Sequence, residues 1–394
     1  MGFNTNIPSS EIDFRISKIQ SHLVDSRIDA IILNNNANLF YTAGYIFNGY
    51  VFIPQTGNAI YFVRRPVGLS ADNIIYINKP EQIVEYIDIS ILSTIGLELD
   101  TVSYSTIERL NKIFPDAIIT NASGILRNVR STKTPFEIEC LIQSGEKHAK
   151  VYSLIQSVYQ DGMTDLELQI EIERLSRLEG CLGQFRISGD SMEIFMGNLI
   201  AGENADTPSP YDFAMGGAGL NPSLPVGCNG ATINPNTSIM VDLNGNFTGY
   251  MTDMTRVFSV GEIGELAHKA HKCSIRINHE LAEKGKPGVQ AKTLFELAIN
   301  IATEEGLDKY FMGHRQHAGF VGHGVGIEVN ELPVIAPRSK DILEENNVIA
   351  LEPKFVIPQV GAVGIENTYV VTNEGMKSIT NAPEEILSLD RCIQ

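Results

Sequence analysis

Ser238–Val260 reads SIMVDLNGNFTGYMTDMTRVFSV. Two apolar and β-branched runs flank a centre supplied with Asn244, Gly245, Asn246 and Gly249, which predicts strand, turn and strand. Paired positions of a symmetric antiparallel hairpin have a constant sum. Pairing Asp242 with Asp253 centres the hairpin on Phe247 and Thr248, inside the turn, so the two aspartates are expected to face each other. The same arithmetic on Asn347–Val371, NVIALEPKFVIPQVGAVGIENTYVV, sets Glu352 against Glu366 about Gln359. Like charges opposite one another destabilise a sheet, and a buried, uncompensated carboxylate costs several kcal/mol or takes up a proton. Two such pairs in apolar strands call for a cation.

Other uses of these segments fail on mechanism. DLNGNFTGYMTD spaces its acidic and amide residues like a calcium-binding loop, but the position that needs a sharp-turn glycine is Phe247, and the flanks read as strands where helices are required. Neither GHGVGIEV nor GGAGLNPS completes a dinucleotide-binding glycine pattern, and no phosphate-binding Walker sequence is present. His323, in GFVGHGVGIEVNELP (Gly319–Pro333), lies among glycines that permit a close backbone approach, and a neutral imidazole is a common ligand beside carboxylates. It becomes a candidate ligand.

The rest of the chain frames these hairpins. Its 394 residues favour two domains, and 43% hydrophobic with 20% charged residues describes an ordinary globular protein. No apolar run nears the ~18 residues that span a bilayer, and MGFNTNIPSSEIDFRIS lacks the features of a secretory leader, so a cytoplasmic location without membrane association is expected. A net charge of −17 argues against a nucleic-acid partner. Five scattered cysteines, with no CxxC pair, fit free thiols. The N-terminal part alternates helix and strand as a small α/β unit, and a boundary is placed near Asn128, giving domains 1–127 and 128–394. Beyond it come helices over PFEIECLIQSGEKHAKVYSLIQSVYQ and TDLELQIEIERLSRLEG, the latter with Thr164 and Glu167 at capping-box spacing, followed by loops and strands. Helices over IGELAHKAHKCSIRINHELAEKG and VQAKTLFELAINIATEEG follow, with strands again to about Thr372. The C-terminal part therefore reads as two halves, each helix, helix, hairpin. His268, His271 and His279 are read as a solvated helix face.

With these residues in place, the sequence resembles the creatinase, aminopeptidase P and prolidase family of pita-bread metalloenzymes. MVDLNG and GYMTDMTRVF resemble its two aspartate motifs, GHGVGIEV its histidine motif, and ALEP and GIENTYVV its two glutamate motifs, all in family order. NLFYTAGY resembles the N-terminal creatinase-type domain, and VRSTKTPFEIECL the entry to the catalytic one. The resemblance implies an α/β N-terminal domain and an α+β C-terminal pita-bread domain with a curved, mainly antiparallel sheet and pseudo-twofold halves. It implies that Asp242, Asp253, His323, Glu352 and Glu366 ligate two divalent ions, with Mn taken first and Co, Zn or Fe as alternatives. Glu352 is then the proton acceptor for a metal-bridging hydroxide, and Arg256 orients a ligand carboxylate. A homodimer is implied as well.

The motif pattern is broken at three places. Where the family's peptidases carry further histidines, this chain has Gly319, Asn330 and Val226, the last in the triplet Pro225-Val226-Gly227. Asn330 can still hydrogen-bond a substrate carbonyl. His317, and less so His314, are candidate substitutes for proton transfer, and Tyr211 or the turn from Gly216 to Gly219 is a candidate pocket wall. The expected function is a metallopeptidase-like hydrolase of Xaa-Pro aminopeptidase or dipeptidase type acting on a small peptide. The alternatives are a related metalloenzyme acting on a small non-peptide amide or as a lyase, and a non-catalytic binding module.

Overall fold

The structure is a computed structural model that describes residues 7–189, 196–213 and 216–390. The chain divides into two units between Arg130 and Ser131. The expected boundary near Asn128 falls within the last helix of the first unit.

That unit contains α1 (Ser9–Ser26), β1 (Ala30–Leu33), α2 (Asn36–Ala43), β2 (Asn48–Pro54), β3 (Ile60–Arg65), β4 (Ile74–Tyr76), β5 (Thr94–Leu97), α3 (Tyr104–Ile113), β6 (Ile118–Asn121) and α4 (Ser123–Ser131). The strands form one mixed sheet in the order β4-β3-β2-β1-β5-β6. β1 is buried at all four residues, AIIL, because it is central and covered on both faces.

The second unit opens with α5 (Pro135–Val158) and α6 (Asp165–Leu178). Both begin with a capping box: Thr134 with Glu137, and Thr164 with Glu167, in which the hydroxyl accepts from the Glu167 N–H at 3.1 Å and the carboxylate from the Thr164 N–H at 2.8 Å. Then come β7 (Gly197–Ala201), β8 (Thr237–Asn246) and β9 (Met251–Val260). The second half repeats this order with α7 (Glu265–Lys284), α8 (Ala291–Glu304), β10 (Gly322–Gly324), β11 (Glu331–Ile335), β12 (Val348–Leu351), β13 (Lys354–Ile357), β14 (Gly361–Gly364) and β15 (Asn367–Thr372). Strands continue past Thr372, the expected end, with β16 (Gly375–Ser378) and β17 (Leu387–Ser388).

The sheets of this unit are β17-β9-β8-β7, β11-β10-β12-β15-β16, and the pair β13-β14. Each half buries its helices on its own strands. Tyr152, Ile155, Leu168 and Ile172 pack with Leu199, Val241 and Phe258. Ile277, Leu294 and Ala298 pack with Ile349, Leu351 and Val363. His271 departs from the solvated face expected for it. It lies one helical turn from both Ala267 and Ser274, so it falls on the buried stripe of α7. Its Nδ1 accepts from the Gly364 N–H at 3.1 Å and its Nε2 donates to the Glu384 carbonyl at 2.7 Å. His268 and His279 are exposed, as expected.

The described cysteines Cys140, Cys181, Cys228 and Cys273 are free and buried, and Cys392 lies outside the described residues. Among the described residues, no helix is long and apolar enough to cross a membrane.

Candidate metal centre

The first hairpin does not pair Asp242 with Asp253. Asp242 faces Thr255, and Asn244 faces Asp253. The strands close at Asn246 and Met251, so the turn is displaced toward Gly249, which adopts φ +93° while its N–H bonds the Asn246 side chain at 3.1 Å. The two aspartates become diagonal neighbours, still on one face of the sheet.

The second hairpin keeps the register read from the sequence. Leu351 pairs with Asn367 and Lys354 with Gly364, which sets Glu352 and Glu366 opposite each other in between. Gln359, at the centre of the hairpin, has φ +69°. The two hairpins are joined back to back: Thr255 and Glu366 exchange backbone hydrogen bonds at 3.3 and 3.2 Å, and the Thr255 hydroxyl donates to Glu366 Oε2 at 2.8 Å.

His323 sits on β10 between β11 and β12. A side chain at Gly322 would meet the Ala350 carbonyl at 2.5 Å, and one at Gly324 the Leu332 carbonyl at 2.2 Å, so the flanking glycines let three strands close on the histidine. His323 Nδ1 donates to the Gly324 carbonyl at 3.1 Å. That bond turns Nε2 toward the carboxylates, 3.2 Å from Glu352 Oε1 and 3.9 Å from Asp253 Oδ2.

The ligating atoms fall into two groups, Asp253 with His323 and Glu366, and Asp242 with Glu352 and Glu366. They differ in one respect that counting carboxylates could not disclose. Lys354, 0% exposed, donates from Nζ to Asp242 Oδ2 at 2.8 Å, Glu352 Oε2 at 2.8 Å and Glu366 Oε2 at 3.2 Å. Asp253 Oδ1, in the other group, and Glu366 Oε1, on the carboxylate common to both, are buried with no hydrogen-bond partner. Two unsatisfied oxygens beside an imidazole are a donor set that fits a divalent cation.

Proton affinities differ from one carboxylate to the next. Burial, then the charges of Glu366, Asp242 and Glu352, hold Asp253 well above the usual carboxylate range. Burial and Glu352 push Glu366 up to about 8. Burial acts the same way on Glu352, but Lys354 and His323 outweigh it and hold that carboxyl down at about 2. Burial disfavours the His323 cation, yet the hydrogen bond to Glu352 and the charges around it raise its pKa to about 9. Without a cation, the centre takes protons instead.

Asp242, Asp253, His323 and Glu352 open onto a cavity of about 260 Å³, near the lower end of small-ligand sites, which run from roughly 300 Å³ upward. Asn330 lines it too, with its amide held by the Ser188 main chain on both sides. Ile187, Phe213, Phe320, Val329 and Val334 give it an apolar wall. His317 and Tyr211 instead line an adjoining cavity of about 30 Å³, where His317 Nδ1 donates to the Phe311 carbonyl at 2.8 Å. His314 bonds Asp206 at 2.9 Å. Gly216 lines the smaller cavity as well, while Ala214 and Met215 of that loop lie outside the described residues.

Arg256 points to the opposite face of β9 from Asp253. Its guanidinium holds the Glu366 carbonyl at 2.8 Å and Asn367 Oδ1 at 2.7 Å, so it fixes the main chain beside a candidate ligand and makes no bond to a ligand carboxylate. The reading from sequence missed Lys354, although it stands only two residues beyond Glu352 in an otherwise apolar run. It also missed Asn244, Asp212 and Phe213, all of which line the larger cavity. Loop residues such as Asp212 carry no periodicity that signals where they point.

Two family models match the chain: the Creatinase/Prolidase N-terminal domain over residues 15–132 and Metallopeptidase family M24 over residues 139–373. The Xaa-Pro dipeptidase of Pyrococcus horikoshii is 25% identical over 378 residues, covering 95% of this chain and 98% of that protein. The Xaa-Pro dipeptidase of Lactobacillus helveticus is 26% identical over 400 residues, covering 94% and 98%. Among solved structures, an Xaa-Pro dipeptidase from Bacillus anthracis superposes with a TM-score of 0.79 at 24% identity, covering 96% of this chain and 99% of that one. The prolidase from Pyrococcus horikoshii gives 0.76 at 22%, covering 95% and 100%. The α/β N-terminal domain and the C-terminal pita-bread domain of antiparallel sheets are the architecture of this chain. A match that takes in both domains, and a catalytic-domain model that spans the hairpins, His323 and the apposed carboxylates, establish that the chain belongs to metallopeptidase family M24.

Proposed function

We propose that this hydrolase cleaves small peptides at an Xaa-Pro bond, using a divalent ion held by Asp253, His323 and Glu366 at the floor of the larger cavity. The observation that carries this reading is the pair of partnerless buried oxygens, Asp253 Oδ1 and Glu366 Oε1, on two carboxylates that gather with the His323 imidazole within 4.8 Å. The names of the relatives, Xaa-Pro dipeptidases, support the substrate class. A bound divalent ion would supply Lewis acidity toward a carbonyl and lower the pKa of water.

The remaining roles belong to the chain's own groups. Lys354 pins Glu352 Oε2, which leaves Oε1, the oxygen facing His323, as the one to take a proton from the attacking water. Asn330, held by Ser188, offers a fixed amide to the substrate. Phe213, Phe320 and Val334 form an apolar wall suited to a pyrrolidine ring. Mn2+ is the first ion to supply, and a homodimer is the assembly to look for by light scattering.

A second reading is favoured by one observation: among the described residues, His323 is the only histidine lining this cavity. The same centre acting on a small non-peptide amide would need no histidine relay toward a peptide leaving group.

Amino-acid release from a panel of Xaa-Pro dipeptides and longer Xaa-Pro peptides decides between them. Mn2+-dependent release is expected, with Asp253→Ala lowering kcat/KM by about 10⁴-fold, or roughly 5 kcal/mol of transition-state stabilisation. Silence across the panel from metal-loaded protein rejects the peptidase reading, and turnover of small amides would then establish the second.

A further inference from the structure

We propose that the Lys354 ammonium permanently takes the place of one cation in this centre, so that each chain holds a single divalent ion, on Asp253, His323 and Glu366. The inference rests on reading the cluster as a metal centre and departs from the two-ion expectation.

An ammonium has three N–H donors, and Lys354 directs them at three carboxylates, at 2.8, 2.8 and 3.2 Å. Those carboxylates, Asp242, Glu352 and Glu366, are the whole of the second ligand group. A divalent ion on the same oxygens needs distances of about 2.0–2.2 Å, which would set it almost on top of Nζ. Only one of the two cations fits.

The backbone fixes which one. Lys354 opens β13 two residues beyond Glu352, and its Nζ reaches the Glu352 carboxylate at 2.8 Å. Gly364, its partner across β13 and β14, has no side chain to divert it. The lysine is buried on a strand, without the freedom of a surface side chain to swing away.

Charge leads to the same count. Four carboxylates, one lysine and one divalent ion leave a single negative charge. A second divalent ion would make the buried cluster net positive. The oxygens left without partners are Asp253 Oδ1, on a carboxylate that Lys354 does not bond, and Glu366 Oε1, the oxygen of the shared carboxylate that Lys354 leaves free.

The test is metal stoichiometry and spectroscopy on the full-length protein, stripped with chelator and reloaded with Mn2+. Elemental analysis and native mass spectrometry of the wild type are expected to give one ion per chain, with the electron paramagnetic resonance spectrum of an isolated, uncoupled Mn2+. Lys354→Met, similar in length but uncharged, is expected to take up a second ion and show exchange coupling. Two ions in the wild type overturn the proposal and leave the metal-centre reading standing. One ion in both proteins overturns it as well, because the ammonium is then not what excludes the second. No ion in either protein rejects the metal-centre reading itself. Should Lys354→Met fail to fold, the wild-type count and spectrum decide alone.

Discussion

The two hairpins of the C-terminal unit deliver the same chemical groups in different states of completion. β8 and β9 bring Asp242 and Asp253 with no basic side chain on their shared face, since Arg256 points the other way. The hairpin running from β12 to β15 brings Glu352 and Glu366 together with Lys354, which satisfies one oxygen of each. The difference teaches that like-charged pairs do not by themselves set the number of ions a site takes. What counts is the charge left over after the protein's own cations are placed.

The largest effect on stability should come from breaking the completed side of this comparison. Lys354→Ala leaves three carboxylates facing one another without their buried cation, and breaking a buried ion pair from one side costs about 3–5 kcal/mol. Urea denaturation of the metal-free protein should show that loss. Added Mn2+ should recover part of it, because an ion that binds only the native state stabilises it by mass action. A midpoint unchanged from the wild type would show that the lysine's contacts contribute nothing net.

A smaller effect should expose how alike the halves are beneath the hairpins. His148 on α5 bonds Thr252 Oγ1 at 3.1 Å, as His271 on α7 bonds the Gly364 N–H. Burial, then the nearby Arg256 cation, depress His148 to about 3. Burial depresses His271 to about 4, against the opposing bond to Glu384. Both are neutral in folded and unfolded chains well above the ordinary histidine value of about 6.5. Below it the unfolded chain takes up protons that the folded chain refuses, so stability falls with pH until the folded values are passed. Each histidine should contribute roughly 1.4 kcal/mol per pH unit in that window. Replacing either with Gln should flatten the profile measured by denaturation between pH 6 and 4. Equal slopes in wild type and variants would refute the assignment.

The smallest difference lies at the second helix of each half. α6 begins with the Thr164 capping box, whereas Gln290 at the start of α8 makes no side-chain cap. Thr164→Ala should cost about 1 kcal/mol and Gln290→Ala close to nothing, as read from thermal melts.

How much of this the sequence disclosed depends on the kind of signal. Strand alternation and register arithmetic placed Glu352 against Glu366, because that hairpin is symmetric about Gln359. The same arithmetic missed by two residues at Asp242 and Asp253, where Gly249 and the Asn246 side chain displace the turn. Helix periodicity found α5 to α8 but misassigned His271, a polar residue on a buried stripe with a backbone partner on each ring nitrogen. The cavity walls were the least legible. Phe213 and Asp212 belong to a loop whose direction is set by contacts distant in sequence.

The joint between the halves carries a consequence of its own. Thr255 and Glu366 pair across it, and Arg256 clasps the carbonyls of Thr255, Glu366, Ala382 and Pro383 around it. Asp242 and Asp253 come from one half, while His323, Glu352 and Glu366 come from the other, so the candidate ligand set exists only while this seam is shut. A bound ion then acts as a rivet through the seam, and the rate at which a chelator extracts it becomes a clock for how often the two halves part.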